Sequence, residues 1–308
     1  MASADVKQLA VVANVGLVVS AVLSGASVVA TRVAVQTVPP LTLAVLRYAQ
    51  GGLLLAVCLV FVARSPVRVR RQDYALLAIL GTLLFAAFPL LFNAGLQLTE
   101  ASRGSLMLAT VPVWSALLAR LTRQERLEPR QLIGLMLATA GVAVAVAERG
   151  LDAGAGGAAL LGDGLILLAA LCGAAYGVLV KRLSGRYTAL TVTTYTMVIG
   201  TLVLLPAALI EGLPAATLTL DGQTLLLVIF LGVLGGAVVW YLYGFALSQL
   251  SPTQVAVYVN LNPLSAMILA TLLLGERVTG PMIVGFGMVL GGVALVNWPK
   301  RIPVASIP

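Results

Sequence analysis

The sequence predicts an all-α integral membrane protein, with ten transmembrane helices in two inverted five-helix repeats around a central cavity. Three observations predict it. Of 308 residues, 60% are hydrophobic and only 10% charged, with a mean hydropathy of +1.05; a soluble domain carries about 25% charged residues. The apolar residues form long unbroken runs, not the alternating strands of about ten residues that build a membrane β-barrel. The second half of the chain repeats the first at an offset of 151 residues.

The runs divide into spans of about 20 residues, enough for a hydrocarbon core of about 30 Å at 1.5 Å per helical residue. In order they are Leu9–Thr31, Leu41–Ala63, Tyr74–Leu98, Gly104–Thr122 and Gln131–Ala147, then Leu160–Val180, Leu190–Ile210, Gln223–Leu247, Thr253–Leu274 and Gly280–Asn297. The first run is longer than the apolar part of a signal peptide, about 7–15 residues, and reads as an uncleaved span. Fourteen of the nineteen basic residues fall on the side that holds both termini, four on the other, and Arg47 within a span. The positive-inside rule puts both ends in the cytoplasm. It also explains the net charge of +8 as basic loops, not nucleic-acid binding. The glycine-rich stretch 148–157 reads as the linker, dividing the chain into repeats at 1–152 and 153–308.

The 151-residue offset holds without gaps from about residue 73 to 145. It pairs Gly81 with Gly232, Pro112 with Pro263, Glu125-Arg126 with Glu276-Arg277, Gly134 with Gly285 and Gly141 with Gly292. The leading spans align best at 148, with Ser24-Gly25-Ala26 on Cys172-Gly173-Ala174. Five spans per half is an odd number, so the halves must lie in the membrane with opposite topology. Inverted repeats with a midplane site between them mark many secondary transporters.

Several residues are candidates for that site. Ser20, Ser24, Ser27 and Thr31 recur at helical spacing along the first span and form either a polar wall or a close-packing face. Phe85, Phe88 and Phe92 share a face of the third span; Trp240 and Tyr243 share one of the eighth. Such rings stack on an aromatic ligand, hold a cation over their faces, or belong to an interfacial belt, as Trp298 does by its position. Met107, Val111 and Trp114 correspond through the repeat to Tyr258, Asn262 and Ser265. Pro112 and Pro263 free the carbonyls of Leu108 and Val259, which suit a substrate ammonium while amides meet its carboxylate. Tyr176 and Cys172 are weaker candidates. Arg47 reads as a snorkelling or bracing group, with a substrate carboxylate as the alternative. Glu125-Arg126 and Glu276-Arg277 read as turn braces. The pairs Gly232/Gly236 and Gly287/Gly291 read as close helix contacts. The four threonines of the seventh span share no single face and receive no role. With no histidine and two cysteines inside apolar runs, no disulfide framework, metal cluster or cofactor is expected. No nucleophile set or nucleotide-binding loop suggests an enzyme.

The paired proline helices, the Gly275-Glu276-Arg277 turn, the glycines Gly285, Gly291 and Gly292, Arg47, and the small residues Ser24-Gly25 and Cys172-Gly173 together resemble the drug/metabolite transporter superfamily. The resemblance is to its ten-helix EamA-type exporters, and within them to the YddG-type exporters of aromatic amino acids. It covers nearly the whole chain. It implies export of small metabolites, aromatic or hydrophobic amino acids among them, from the bacterial cytoplasm across the inner membrane by alternating access. A multidrug or organic-cation exporter is the alternative, and a sensor or scaffold without transport lies further off. The implied partners are a small-molecule substrate and the lipid bilayer; monomer and homodimer stay equally open. Small four-helix relatives carry a membrane glutamate in their first span. Here that stretch is VLSGASVVA, so no proton relay of carboxylates is evident.

Overall fold

The structure, a computed structural model, describes residues 2–61, 69–122, 129–150, 156–183, 185–218, 220–249 and 261–297. Within these the chain is helical, as a lipid-embedded chain must be to satisfy its own backbone groups. Span 1 is Ala2–Ala34 and span 2 is Pro40–Phe61. Span 3 runs from Arg71 to Leu98, and span 4 joins Ala101–Leu108 to Val111–Leu121. Span 5 is Pro129–Gly150, span 6 is Gly156–Val180 and span 7 is Ala189–Glu211. A short helix, Leu213–Leu218, leads to span 8, which begins at Gly222 and ends at Gln249. Span 9 is Leu261–Leu274 and span 10 is Gly280–Asn297. Seven helices are long and apolar enough to cross a membrane, and three apolar ones, in spans 5, 9 and 10, are shorter within the described residues. Leu53, Phe61, Met136, Leu226 and Leu272 point outward and are largely exposed, which suits contact with lipid.

The inversion is visible in the glycines between spans 5 and 10. A Cβ at Gly141 would come 2.7 Å from the Gly285 carbonyl oxygen, and a Cβ at Gly285 would come 2.7 Å from that of Gly141. Gly292 lies against the Gly134 carbonyl in the same way. As residue numbers rise along span 5 they fall along span 10, so the helices are antiparallel. The 151-residue offset turns one contact into the other, the reciprocity of a two-fold axis. An axis relating antiparallel helices runs across them, in the membrane plane. Spans 2 and 7 repeat the arrangement, with Leu41 and Thr42 beside Glu211 and Gly51 beside Met197. Gly285 and Gly292 make the close contacts of span 10. Gly287 faces open space and Gly291 touches only a Leu137 methyl at ordinary distance, so the close contacts expected of Gly287 and Gly291 are made by Gly285 and Gly292 instead.

Two carboxylates tie the halves together at one end of the bundle. Glu211 accepts from Leu41 N (3.2 Å), Thr42 N (2.6 Å) and Thr42 Oγ1 (2.9 Å) at the start of span 2. Glu276 accepts from Ala101 N (2.9 Å), Ser102 N (2.9 Å) and Ser102 Oγ (2.6 Å) at the start of span 4. Each fills orphan N–H groups at a helix N-terminus with an anion from the other half. Gly275, with φ of 65°, makes the turn that brings Glu276 back. Asp221 caps span 8 from within its own half, accepting from Thr224 N at 2.9 Å.

Spans 3 and 8 each contain a π turn, Leu83–Ala87 and Val233–Val238. The Phe88 N–H reaches back to the Leu83 carbonyl, and the Val239 N–H to that of Leu234, again 151 residues apart. In span 3 the cause is Pro89, which has no N–H to offer the carbonyl four residues back. In span 8 the same widening occurs at Gly235-Gly236. Span 4 breaks at Ala109-Thr110, immediately before the helix that carries Pro112 near its start. Pro263 is buried within the described part of span 9.

Candidate functional site

The π turn of span 3 presents Phe85 to the middle of the bundle, where it is 1% exposed. Three rings meet it edge to face: Tyr48 at 5.2 Å, Trp240 at 5.9 Å and Tyr176 at 6.5 Å between centroids. Trp240 meets Tyr243 in turn at 6.1 Å. Spans 2, 3, 6 and 8 each contribute, so both halves build the cluster. The Tyr176 hydroxyl lies beside the Thr193 and Thr196 side chains of span 7. Each edge-to-face pair contributes about 0.5–1.5 kcal/mol beyond its buried area.

Phe88 belongs to a separate pair, stacked on Phe92 at 5.7 Å. Span 1 turns its hydroxyls toward span 8. Ser20 Oγ donates to the Val239 carbonyl at 3.4 Å, and Ser27 Oγ fills the space left by the missing Cβ of Gly235 while donating to the Leu23 carbonyl at 2.7 Å. Thr31 Oγ1 donates to the Ser27 carbonyl. Ser24 is half-buried between them. On its other side span 1 meets span 9: Gly25 lies against Ser265 and Ala266, and Ser265 Oγ donates to the Ala21 carbonyl at 3.0 Å.

Met107 is fully enclosed in the apolar core. Trp114 Nε1 donates to Thr110 Oγ1 at 3.1 Å, across the break in span 4. The Asn262 side-chain oxygen is buried and has no hydrogen-bond partner. Tyr258, Asn260 and the Val259 carbonyl lie outside the described residues, as do Trp298, Glu125 and Arg126. The structure thus brings Phe85, Tyr176, Trp240 and Tyr243 together, leaves Asn262 with a free acceptor, and encloses Met107.

Sequence reasoning missed Tyr48, whose one signal was its place beside Arg47. It also missed an ion pair. Arg103 and Asp163, expected at span ends, have side chains only 3% and 2% exposed, with Nη2 and Oδ2 2.9 Å apart. Thr99 Oγ1 donates to the other carboxylate oxygen at 2.8 Å. Residues 60 apart on different spans give no local pattern. At the other end of the bundle the Asp73 carboxylate accepts from Arg186 Nη1 at 3.0 Å and from Tyr187 Oη at 2.7 Å.

An inverted two-fold bundle with an aromatic cluster between its halves is the architecture of a transporter. The EamA-like transporter family matches the chain twice, over residues 12–147 and 160–298. The chain belongs to this family. As an EamA-like protein it is a multi-pass membrane transporter and not an enzyme. It is 32% identical to a Streptantibioticus cattleyicolor protein named "Probable terminal-alkyne amino-acid exporter", over 77% of this chain and 78% of that one. It is 29% identical to the Escherichia coli protein named "Probable amino-acid metabolite efflux pump", over 92% of this chain and 96% of that one. A crystal structure 18% identical in sequence superposes with a TM-score of 0.64, over 94% of this chain and 96% of that one, and shows the same fold.

Proposed function

We propose that this EamA-like transporter exports amino acids with aromatic or other hydrophobic side chains, by alternating access between halves at 1–152 and 153–308. The observation that carries the reading is the aromatic cluster around Phe85, assembled from both halves beside the two π turns. Rings from four spans suit an apolar or aromatic side chain. Because they come from both halves, movement of one half against the other changes the cluster, and π turns are frequent at functional sites. The unpartnered Asn262 oxygen supplies an acceptor for an ammonium. The names of the two relatives support an amino-acid substrate. With the basic loops inside, both termini are cytoplasmic. The end carrying Glu211, Glu276 and the Arg103–Asp163 pair is then external.

The test is counterflow in vesicles. Reconstituted protein loaded with unlabelled phenylalanine is expected to accumulate labelled phenylalanine, with other aromatic amino acids competing. Trp240→Ala is expected to weaken competition by phenylalanine more than by alanine, by about the 0.5–1.5 kcal/mol of a ring pair. Absence of flux across a panel of amino acids would overturn the reading. Competition by cationic dyes but not by amino acids would point to an organic-cation exporter instead.

A further inference from the structure

Arg47 lies in the third turn of span 2, half-buried, with its Nε fully buried and without a hydrogen-bond partner. Its Nη2 donates to the Gly235 carbonyl at 3.1 Å, and its guanidinium carbon lies 5.2 Å from the centroid of the neighbouring Tyr48 ring. No carboxylate among the described residues pairs with it. Arg103, buried in span 4, is by contrast held by Asp163. A guanidinium offers five donors in a planar fork, and a cation at membrane depth is costly unless an anion or several acceptors meet it. One carbonyl leaves most of that capacity unused.

The fold does not require an arginine here. Gly51 packs on the Gly232 carbonyl, and Gly200 packs on that of Gly81. These are the same contact in the two halves, so spans 2 and 7 correspond at 149 residues, one more than the 148 of the leading spans. That register puts Thr196 where Arg47 stands. The second half closes the same joint around a threonine, whose hydroxyl bonds back to the Val192 carbonyl at 2.8 Å. The cation is an addition to one half only.

Its position fits the aromatic cluster. Tyr48, the next residue, meets Phe85, and Trp240, in the turn following Gly235, meets the same ring. Gly235, which accepts from Arg47, is in the π turn of span 8. A ligand whose ring packs on Phe85 or Trp240 therefore has a planar cation within reach of its polar end. We propose that Arg47 is the receptor for the α-carboxylate of the exported amino acid, binding it through the fork that matches a carboxylate. This rests on the amino-acid reading above and adds to it the residue that selects acids over amines.

The test uses the full chain in lipid nanodiscs, titrated with L-phenylalanine and with L-phenylalaninamide, and followed by tryptophan fluorescence. The amide keeps the ring and the ammonium but has no carboxylate. The native protein is expected to prefer the acid by on the order of tenfold or more, the scale of a charge-assisted hydrogen bond. Arg47→Gln is expected to weaken acid binding on the order of 10- to 100-fold and leave amide binding unchanged. Arg47→Lys, a point charge without the fork, is expected to keep part of the preference. Equal binding of acid and amide by the native protein would overturn the proposal, and needs no variant to assemble. So would an Arg47→Gln protein that loses both ligands alike, as a bracing role predicts. Failure of the native protein to bind either ligand would instead bring down the amino-acid reading on which the proposal stands.

Discussion

Gly141 and Gly285 meet backbone to backbone across the seam between spans 5 and 10, each filling the space where the other's side chain would be. In lipid, helices gain little from burying apolar surface and associate through close packing of small residues. The seam therefore depends on bare backbones. Gly285→Val is expected to force the helices apart and cost about 1–3 kcal/mol, the range for overpacking a tight contact. Gly287→Val, two residues on and facing open space, is expected to be neutral. Thermal unfolding of the two purified variants checks this, and equal midpoints would contradict the seam.

The Glu276 carboxylate closes the N-terminus of span 4, and Glu211 does the same for span 2. Removing a side-chain cap costs about 0.5–2 kcal/mol. Glu276→Ala is expected to lie in that range and to speed hydrogen exchange at the Ala101 and Ser102 amides. Glu211→Ala is expected to do the same at Leu41 and Thr42. Unchanged exchange in both would show that these amides have other partners.

The ten spans and their inversion were legible because they rest on signals the chain repeats: long apolar runs and glycines and prolines at a constant offset. Glu276 was legible as a turn brace because it stands beside a glycine at a span end. The π turns were not foreseen. Pro89 follows the turn in span 3 and Gly235-Gly236 lie within the turn in span 8, so the turns correspond through the repeat but the residues that mark them do not. Phe85, Trp240 and Tyr243 were legible on aromatic faces and Tyr176 as a weaker candidate, but their meeting point depends on which faces of three spans turn inward. The Arg103–Asp163 pair escaped because each charge, alone near a span end, looks like a solvated group. Only the packing of span 4 on span 6 brings them together.

Asp221 offers a pH-dependent contact outside the membrane. Its hydrogen bonds with the Thr224 side chain and backbone hold its carboxyl below the usual carboxylate range. A folded-state value below the unfolded one means that the unfolded chain binds the proton more readily. The cap is then fully present above about pH 4, the ordinary aspartate value, and is lost as pH falls through the lower folded value. The Thr224 amide is expected to lose protection on acidification, relative to Asp221→Asn, whose acceptor does not titrate. Parallel pH profiles for the two proteins would contradict the cap.

The Arg103–Asp163 pair joins the first half to the second and is nearly closed to solvent. Asp163 is about 10 Å into span 6 from Gly156, at 1.5 Å per residue. A buried pair adds little stability over an apolar one of the same shape, but breaking it leaves a charge in a medium that does not solvate it. Asp163→Asn keeps an acceptor for Thr99 and takes away the anion that faces Arg103. It is expected to cost about 3–5 kcal/mol, the range for removing one partner of a buried pair. The double variant Arg103→Met with Asp163→Leu removes both charges and is expected to be more stable than Asp163→Asn. That ordering separates an electrostatic tie from plain packing, because packing alone predicts that two changes destabilise more than one. Thermal midpoints of the native protein, the single variant and the double variant decide it. The opposite order would mean that the shape of these side chains, not their charge, holds spans 4 and 6 together.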